Sequence, residues 1–213
     1  MRKWWFGIYF FMSGCRMFTA GSPFEGQPSV TLADGFDYPV GTPISQGGTG
    51  YVSAQKDGDG YYDAQDFLEN GHCGEDWNGE GGGNTDYGDP VYAVASGVVT
   101  AAGDYGPSWG NIITIEHQMK GATAPEYEIV ESQYAHLSVM NVSKGELVTR
   151  GQKIGEIGNA NGAYYAHLHF EMRWNEKAGA TSDGGYWCDS FSEAEARGWL
   201  DPSMFIDDHR HIP

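Results

Sequence analysis

The chain has 213 residues, and 29 acidic residues against 12 Lys and Arg give it a formal charge of −17. That length accommodates one domain of ordinary size with an additional arm. The lack of a basic stripe excludes a nucleic-acid partner, since nothing displaces counterions from phosphates, and acidity of this size otherwise reads as a solubilising surface.

Residues 1–15 read as a signal peptide. Arg2 and Lys3 precede an apolar run from Trp4 to Met12, too short to span a bilayer as a helix but within the range of a signal-peptide core. The run ends in Met12-Ser13-Gly14-Cys15, which resembles a bacterial lipobox. A lipid on Cys15 would attach the exported protein to a membrane of the bacterial envelope, facing the periplasm or the cell surface. A cut after Ala20 is the poorer alternative, because Phe18 is bulky where a small residue is wanted. With Cys15 acylated, Cys73 and Cys188 remain as an even pair in an oxidising compartment. A Cys73–Cys188 disulfide is expected; two free thiols, or Cys73 as a metal ligand, are the alternatives.

Residues 16–50 are rich in Gly, Ser, Pro and Thr and read as a tether leading into an irregular arm. The domain proper is expected over 51–205, with 206–213 as a polar tail. Asp57-Gly58-Asp59-Gly60 followed by Asp63 has a faint look of a calcium loop but lacks the later glutamate, so it reads as an acidic turn. Next, His72 and Asp76 stand four apart in Gly71-His72-Cys73-Gly74-Glu75-Asp76. The surrounding glycines disfavour a helix, and on an extended stretch positions four apart also return to one face. An imidazole and a carboxylate that converge suit zinc.

Short β-branched runs follow at Val91–Ala95, Val98–Ala102, Asn111–Glu116 and Tyr127–Leu137, with two more strands between Gly145 and Gly158, all punctuated by glycine. The 32 glycines favour tight turns over long helices. The expected fold is therefore all-β: a compact antiparallel sandwich or barrel-like domain with Gly-rich loops and one or two short helical turns. One helical turn is signalled by Ser192-Glu193-Ala194-Glu195, a capping box ahead of Gly198, and another by Pro202 after Asp201. In Ala166-His167-Leu168-His169-Phe170, strand alternation puts His167 and His169 on one face, opposite Leu168 and Phe170.

Taken in order, H-x-G-x-D at His72–Asp76, D-P-V-Y-A…G-V-V from Asp89 to Val99, Y-x-H-L at Tyr134–Leu137 and H-L-H at His167–His169 resemble the lysostaphin-type zinc endopeptidases. The stretch G-x-x-V-x-x-G-Q-x-I-G from Gly145 to Gly155 fits as well. The resemblance implies His72, Asp76 and His169 as ligands of one Zn2+ per chain, leaving a fourth position for water as in catalytic zinc sites. It also implies His136 and His167 as the catalytic pair beside the metal, hydrolysing peptide cross-links of bacterial peptidoglycan by zinc-activated water. His167 is the expected general base and His136 the expected oxyanion or leaving-group donor; the two roles could be exchanged. The implied partner is the peptidoglycan peptide stem.

Two other functions are open to such a chain: a non-catalytic regulator of other wall hydrolases, or a zinc peptidase acting on protein substrates. His117 reads as a structural histidine at a strand end, and His209 and His211 as solvated tail residues. Trp77, Trp109, Tyr164 and Tyr165 are candidate groove aromatics. The Asp76–Val91 loop and the 175–199 insert are longer than a minimal domain needs.

Overall fold

The computed structural model describes residues 32–119, 129–174 and 190–211. The lipobox at Cys15, Cys188 and most of the 175–199 insert therefore lie outside the described residues. Eleven strands make the framework: β1 (Tyr61–Gln65), β2 (Glu75–Gly79), β3 (Pro90–Tyr92), β4 (Gly97–Asp104), β5 (Asn111–Gln118), β6 (Ile129–Leu137), β7 (Val139–Met140), β8 (Leu147–Val148), β9 (Lys153–Glu156), β10 (Leu168–Trp174) and β11 (Trp199–Leu200). Two short helices, α1 (Phe191–Arg197) and α2 (Pro202–Asp208), follow β10. Among the described residues no helix is long and apolar enough to cross a membrane.

All the paired strands run antiparallel. The larger sheet has the order β1-β2-β10-β6-β5-β4-β8, with β11 added beside β10, and the smaller is β3-β9-β7. The larger sheet stays open, since β1 and β8 are separate ends, so the molecule is an all-β sandwich and not a barrel. Its core takes Ile113, Ile115, Leu137, Leu168 and Phe170 from the large sheet and Val91 and Ile154 from the small one. Gly155 permits the close approach of the two sheets: a Cβ there would meet Leu137 Cδ1 at 3.2 Å and Ile113 Cδ1 at 3.6 Å across the core, besides Val139 O of its own sheet at 2.8 Å.

Strand alternation positions the site. On β10, Leu168, Phe170 and Met172 point into the core, while His169, Glu171 and Arg173 lie on the other face and are also buried. On β6 the same alternation puts Val130 and Tyr134 in the core. Continued regularly, it would drive His136 into the core as well. Instead His136 takes a left-handed backbone, φ 62°, a conformation uncommon outside glycine. The β5–β6 register shifts at the same place: Asn111 and Ile113 face Leu137 and Tyr134. The extra residue is a bulge that returns Leu137 to the core and turns the imidazole away from it.

Residues 32–50 have little regular structure, yet from Ala33 onward they are tied to the domain and are not a free arm. Ala33 bridges to Met119, and Phe36, Tyr38 and Val40 join the core. Asp37 is buried under Arg150 at 2.6 Å and Arg210 at 3.2 Å. The C-terminal residues are held in turn: Arg210 also donates to Gly50 O at 2.6 Å, and His209 stacks on Phe205 at 4.2 Å, whereas His211 is exposed. Both helical turns exist. The cap of α1, however, is Ser190, which accepts from Glu193 N, two residues ahead of the expected Ser192. Asp201 caps α2 with Pro202 in its first turn.

Candidate metal centre

β2 and β10 are neighbours, and their register sets Asp76 directly across from His169. His72 precedes β2 in the turn after a short 3-10 segment. Three residues that span almost a hundred positions thus converge: His72 Nε2 is 2.9 Å from His169 Nδ1, Asp76 Oδ1 is 3.0 Å from His169 Nδ1, and Asp76 Oδ1 is 3.3 Å from His72 Nε2. One ligand atom from each lies within 4.8 Å of the others.

The hydrogen bonding around His169 tests whether a metal fits. Its Nε2 is 2.9 Å from Glu171 Oε1. An ionised carboxylate only accepts, so Nε2 carries the proton, and Nδ1 of a neutral ring aims its lone pair at Asp76 and His72. Lone pairs brought this close repel unless a cation or a proton lies among them. Burial by itself pushes His169 down, but Asp76 and Glu171 overcome it and raise the imidazole to about 10. Burial likewise pushes Asp76 up, yet bonds from His169 and His72 hold it well below the usual carboxylate range. Two imidazole nitrogens and a carboxylate oxygen are the donors zinc takes, so these residues fit a zinc ion. His72 is supported less: its Nδ1 is buried with no hydrogen-bond partner among the described residues.

The remaining two histidines stand beside this group. His136 and His167 have ring centroids 4.8 Å apart, and His136 is 5.5 Å from His169. Each is fixed by a main-chain carbonyl: His136 Nδ1 donates to Trp109 O at 3.1 Å and His167 Nδ1 to Tyr165 O at 2.8 Å. Their exchangeable nitrogen is therefore Nε2 in both. His167 Nε2 lies 3.6 Å from Asp76 Oδ2. Burial, and then the neighbouring His169 and His167, push His136 down to about 3. His167 does not sit within β10, as alternation alone suggests; it precedes the strand and pairs with Gly158 as an isolated bridge.

The five side chains line a cleft of about 660 Å³ whose walls include Tyr105, Pro107, Trp109 and Tyr164. The Trp109 ring lies against His136 at 6.1 Å and 29° and edge-on to His169 at 5.3 Å. Its hairpin is held by Tyr105 N to Gly110 O at 2.8 Å. Trp77, by contrast, is a core residue with its Nε1 on Glu75 at 3.0 Å, and Tyr165 is 73% exposed and outside the cleft lining. His117 is buried away from the site, between Ser96 O at 3.1 Å and Ser132 Oγ at 2.7 Å. Cys73, beside His72, is disulfide-bonded. Sequence reasoning missed Glu171, although its place two residues after His169 on one strand face was a readable signal. It also missed the Trp109 carbonyl, for which no sequence signal exists.

The fold is an open antiparallel sandwich, and its cleft holds two histidines and one aspartate whose donor atoms fit a metal ion. The model of peptidase family M23 matches residues 70–180, and the chain belongs to that family, the lysostaphin-type peptidases. It is 38% identical over 85 residues to the peptidoglycan DD-endopeptidase ShyA of Vibrio cholerae, 40% of this chain and 17% of that protein. It is 35% identical over 91 residues to the lipoprotein NlpD of Yersinia enterocolitica, 43% of this chain and 84% of that sequence. Across several curated relatives the chain spans only 13% to 32% of their length. A Pseudomonas aeruginosa crystal structure assigned to peptidase M23 has the same fold, with a TM-score of 0.50 at 22% identity over 84% of this chain and 53% of that one.

Proposed function

We propose that the chain is a zinc metalloendopeptidase that hydrolyses peptide cross-links of bacterial peptidoglycan. The observation that carries this reading is the meeting of His72, Asp76 and His169 within 4.8 Å in a cleft that also holds His136 and His167. Three protein donors is the count of catalytic zinc sites, where closed structural sites use four. A zinc ion bound there supplies Lewis acidity toward a water and a carbonyl.

The protein's own groups divide the proton work. His136, with Nδ1 committed to Trp109 O, has Nε2 left to take a proton from water. His167 points Nε2 toward Asp76 Oδ2 at 3.6 Å, and from that place in the cleft the ring can hand a proton to the leaving amine. This exchanges the two roles expected from the motif order. Trp109 and Tyr164 line the cleft and pack against the His136 ring.

Lipidation at Cys15, an envelope location and a Cys73–Cys188 disulfide belong to the same reading. The disulfide is supported by the bonded state of Cys73. Metal analysis of the purified chain, followed by mass spectrometry of peptidoglycan digested with and without chelator, tests the proposal. One zinc per chain with new, chelator-sensitive muropeptides is expected. Zinc without new wall fragments would refute it and favour a regulator of other hydrolases or a peptidase of proteins.

A further inference from the structure

The stretch after the family match, residues 190–200, reaches the metal centre from behind. β11 pairs with β10, setting Trp199 across from Arg173. The Trp199 indole Nε1 donates to Glu171 Oε2 at 3.1 Å, while Glu171 Oε1 takes the His169 Nε2 proton at 2.9 Å. Both oxygens of one buried carboxylate are thus engaged, one by the ring that faces the metal position and one by a residue of the insert. The indole is clamped in turn. It packs on Phe67, Cys73 and Ala194, and Arg173, ion-paired to Glu131 at 2.7 Å, lies 5.9 Å from its ring.

We propose that Trp199 and Glu171 are positioning residues of the metal centre, acting in series on His169. A neutral imidazole carries one N–H, and only the tautomer protonated at Nε2 leaves Nδ1 free to ligate. Glu171 selects that tautomer by accepting at Nε2. Trp199 prevents the carboxylate from rotating out of line, since turning it would break the indole bond. Residues 190–200, outside the family's matched span, are in this way part of the machinery that holds the ligand.

The inference rests on the reading of His169 as a zinc ligand. Its test is zinc affinity, measured by chelator competition on the full-length wild type, Glu171→Gln, Trp199→Phe and the double variant, with the melting temperature of each metal-free protein alongside. Trp199→Phe keeps a ring against Phe67 and Ala194 and removes only the N–H, so it preserves the test if Glu171→Gln fails to fold. Glu171→Gln should weaken zinc binding roughly 10- to 100-fold. Trp199→Phe should weaken it about 3- to 10-fold, the scale of one net hydrogen bond, because it loosens the carboxylate without removing it. The double variant should be no weaker than Glu171→Gln alone, because the two act through one bond. A further readout is the His169 ring N–H proton of zinc-loaded protein, which should exchange faster with solvent in Trp199→Phe. Variants that bind zinc within twofold of wild type, or that lose melting temperature while keeping affinity, would overturn the inference alone. A wild type that binds no zinc would overturn the proposed function instead.

Discussion

Main-chain carbonyls hold both non-ligating histidines of the cleft, so their orientation survives changes in neighbouring side chains and depends on the loops that carry Trp109 and Tyr165. For His136 the loop contact is doubled, because its own backbone N–H also donates to Trp109 O at 3.0 Å. This bears on what each ring does when removed. His136→Ala and His167→Ala should each lower kcat by roughly 10²–10⁴ while keeping zinc, whereas His169→Ala should lose the metal; single-turnover assays beside metal analysis separate the two. Either histidine variant with unchanged kcat would remove that residue from the proton path. The five site residues were legible because three short motifs stand in order along the chain. The proposed division of labour between His136 and His167 was not, since it rests on the buried position of one ring and on the Asp76 carboxylate beside the other.

At the scale of elements, the glycine-punctuated, β-branched strands β4, β5 and β6 were readable within a residue or two, because their pattern matches a pleated, half-buried surface. The hairpin β1–β2 was not. Tyr61–Gln65 and Glu75–Gly79 carry Asp, Gln, Asn and Gly, residues that disfavour strands, and they become strands through pairing with each other and with β10. Helix α1 shows a subtler ambiguity. Ser190-x-x-Glu193 and Ser192-x-x-Glu195 both spell a capping box, and only the first is used, with Glu193 N donating to Ser190 Oγ at 3.3 Å. Ser190→Ala should therefore cost about 1 kcal/mol of stability and Ser192→Ala only a few tenths. Urea denaturation of the two variants checks this, and equal losses would place the cap elsewhere.

Across the whole molecule, two electrostatic features make predictions of different kinds. Burial pushes the imidazole of His117 down to about 4 from its ordinary 6.5. The folded state therefore disfavours the protonated ring, and the unfolded chain binds more protons between those values. Its contribution is present above pH 6.5 and lost as pH falls toward 4, amounting to up to about 3 kcal/mol. The stability difference between wild type and His117→Gln, measured by urea unfolding at pH 7.5 and pH 5, should move against wild type at the lower pH; a constant difference would contradict it. The second feature is the net charge of −17, set against a cleft lined, among the described residues, by no Lys or Arg. On an anionic cell wall, like charges slow encounter, and salt screens them. Turnover of intact peptidoglycan should rise with moderate salt, while that of a small neutral peptide stays nearly flat. Wall turnover that falls with salt would point to a cationic docking face.

The β1–β2 hairpin joins the rest of the large sheet through β2 alone, at three facing pairs with β10: Glu75 with Phe170, Asp76 with His169 and Trp77 with Leu168. The middle pair supplies two of the three proposed ligand atoms, so an ion seated there would act as a rivet through the join between two pieces of the sheet. Stripping the ion should loosen that join before anything else gives way. Deuterium uptake would quicken first in residues 61–79, with β4 to β6 still protected. A chain that has just lost its metal would then be open to proteolysis along one flap while most of its framework remained intact.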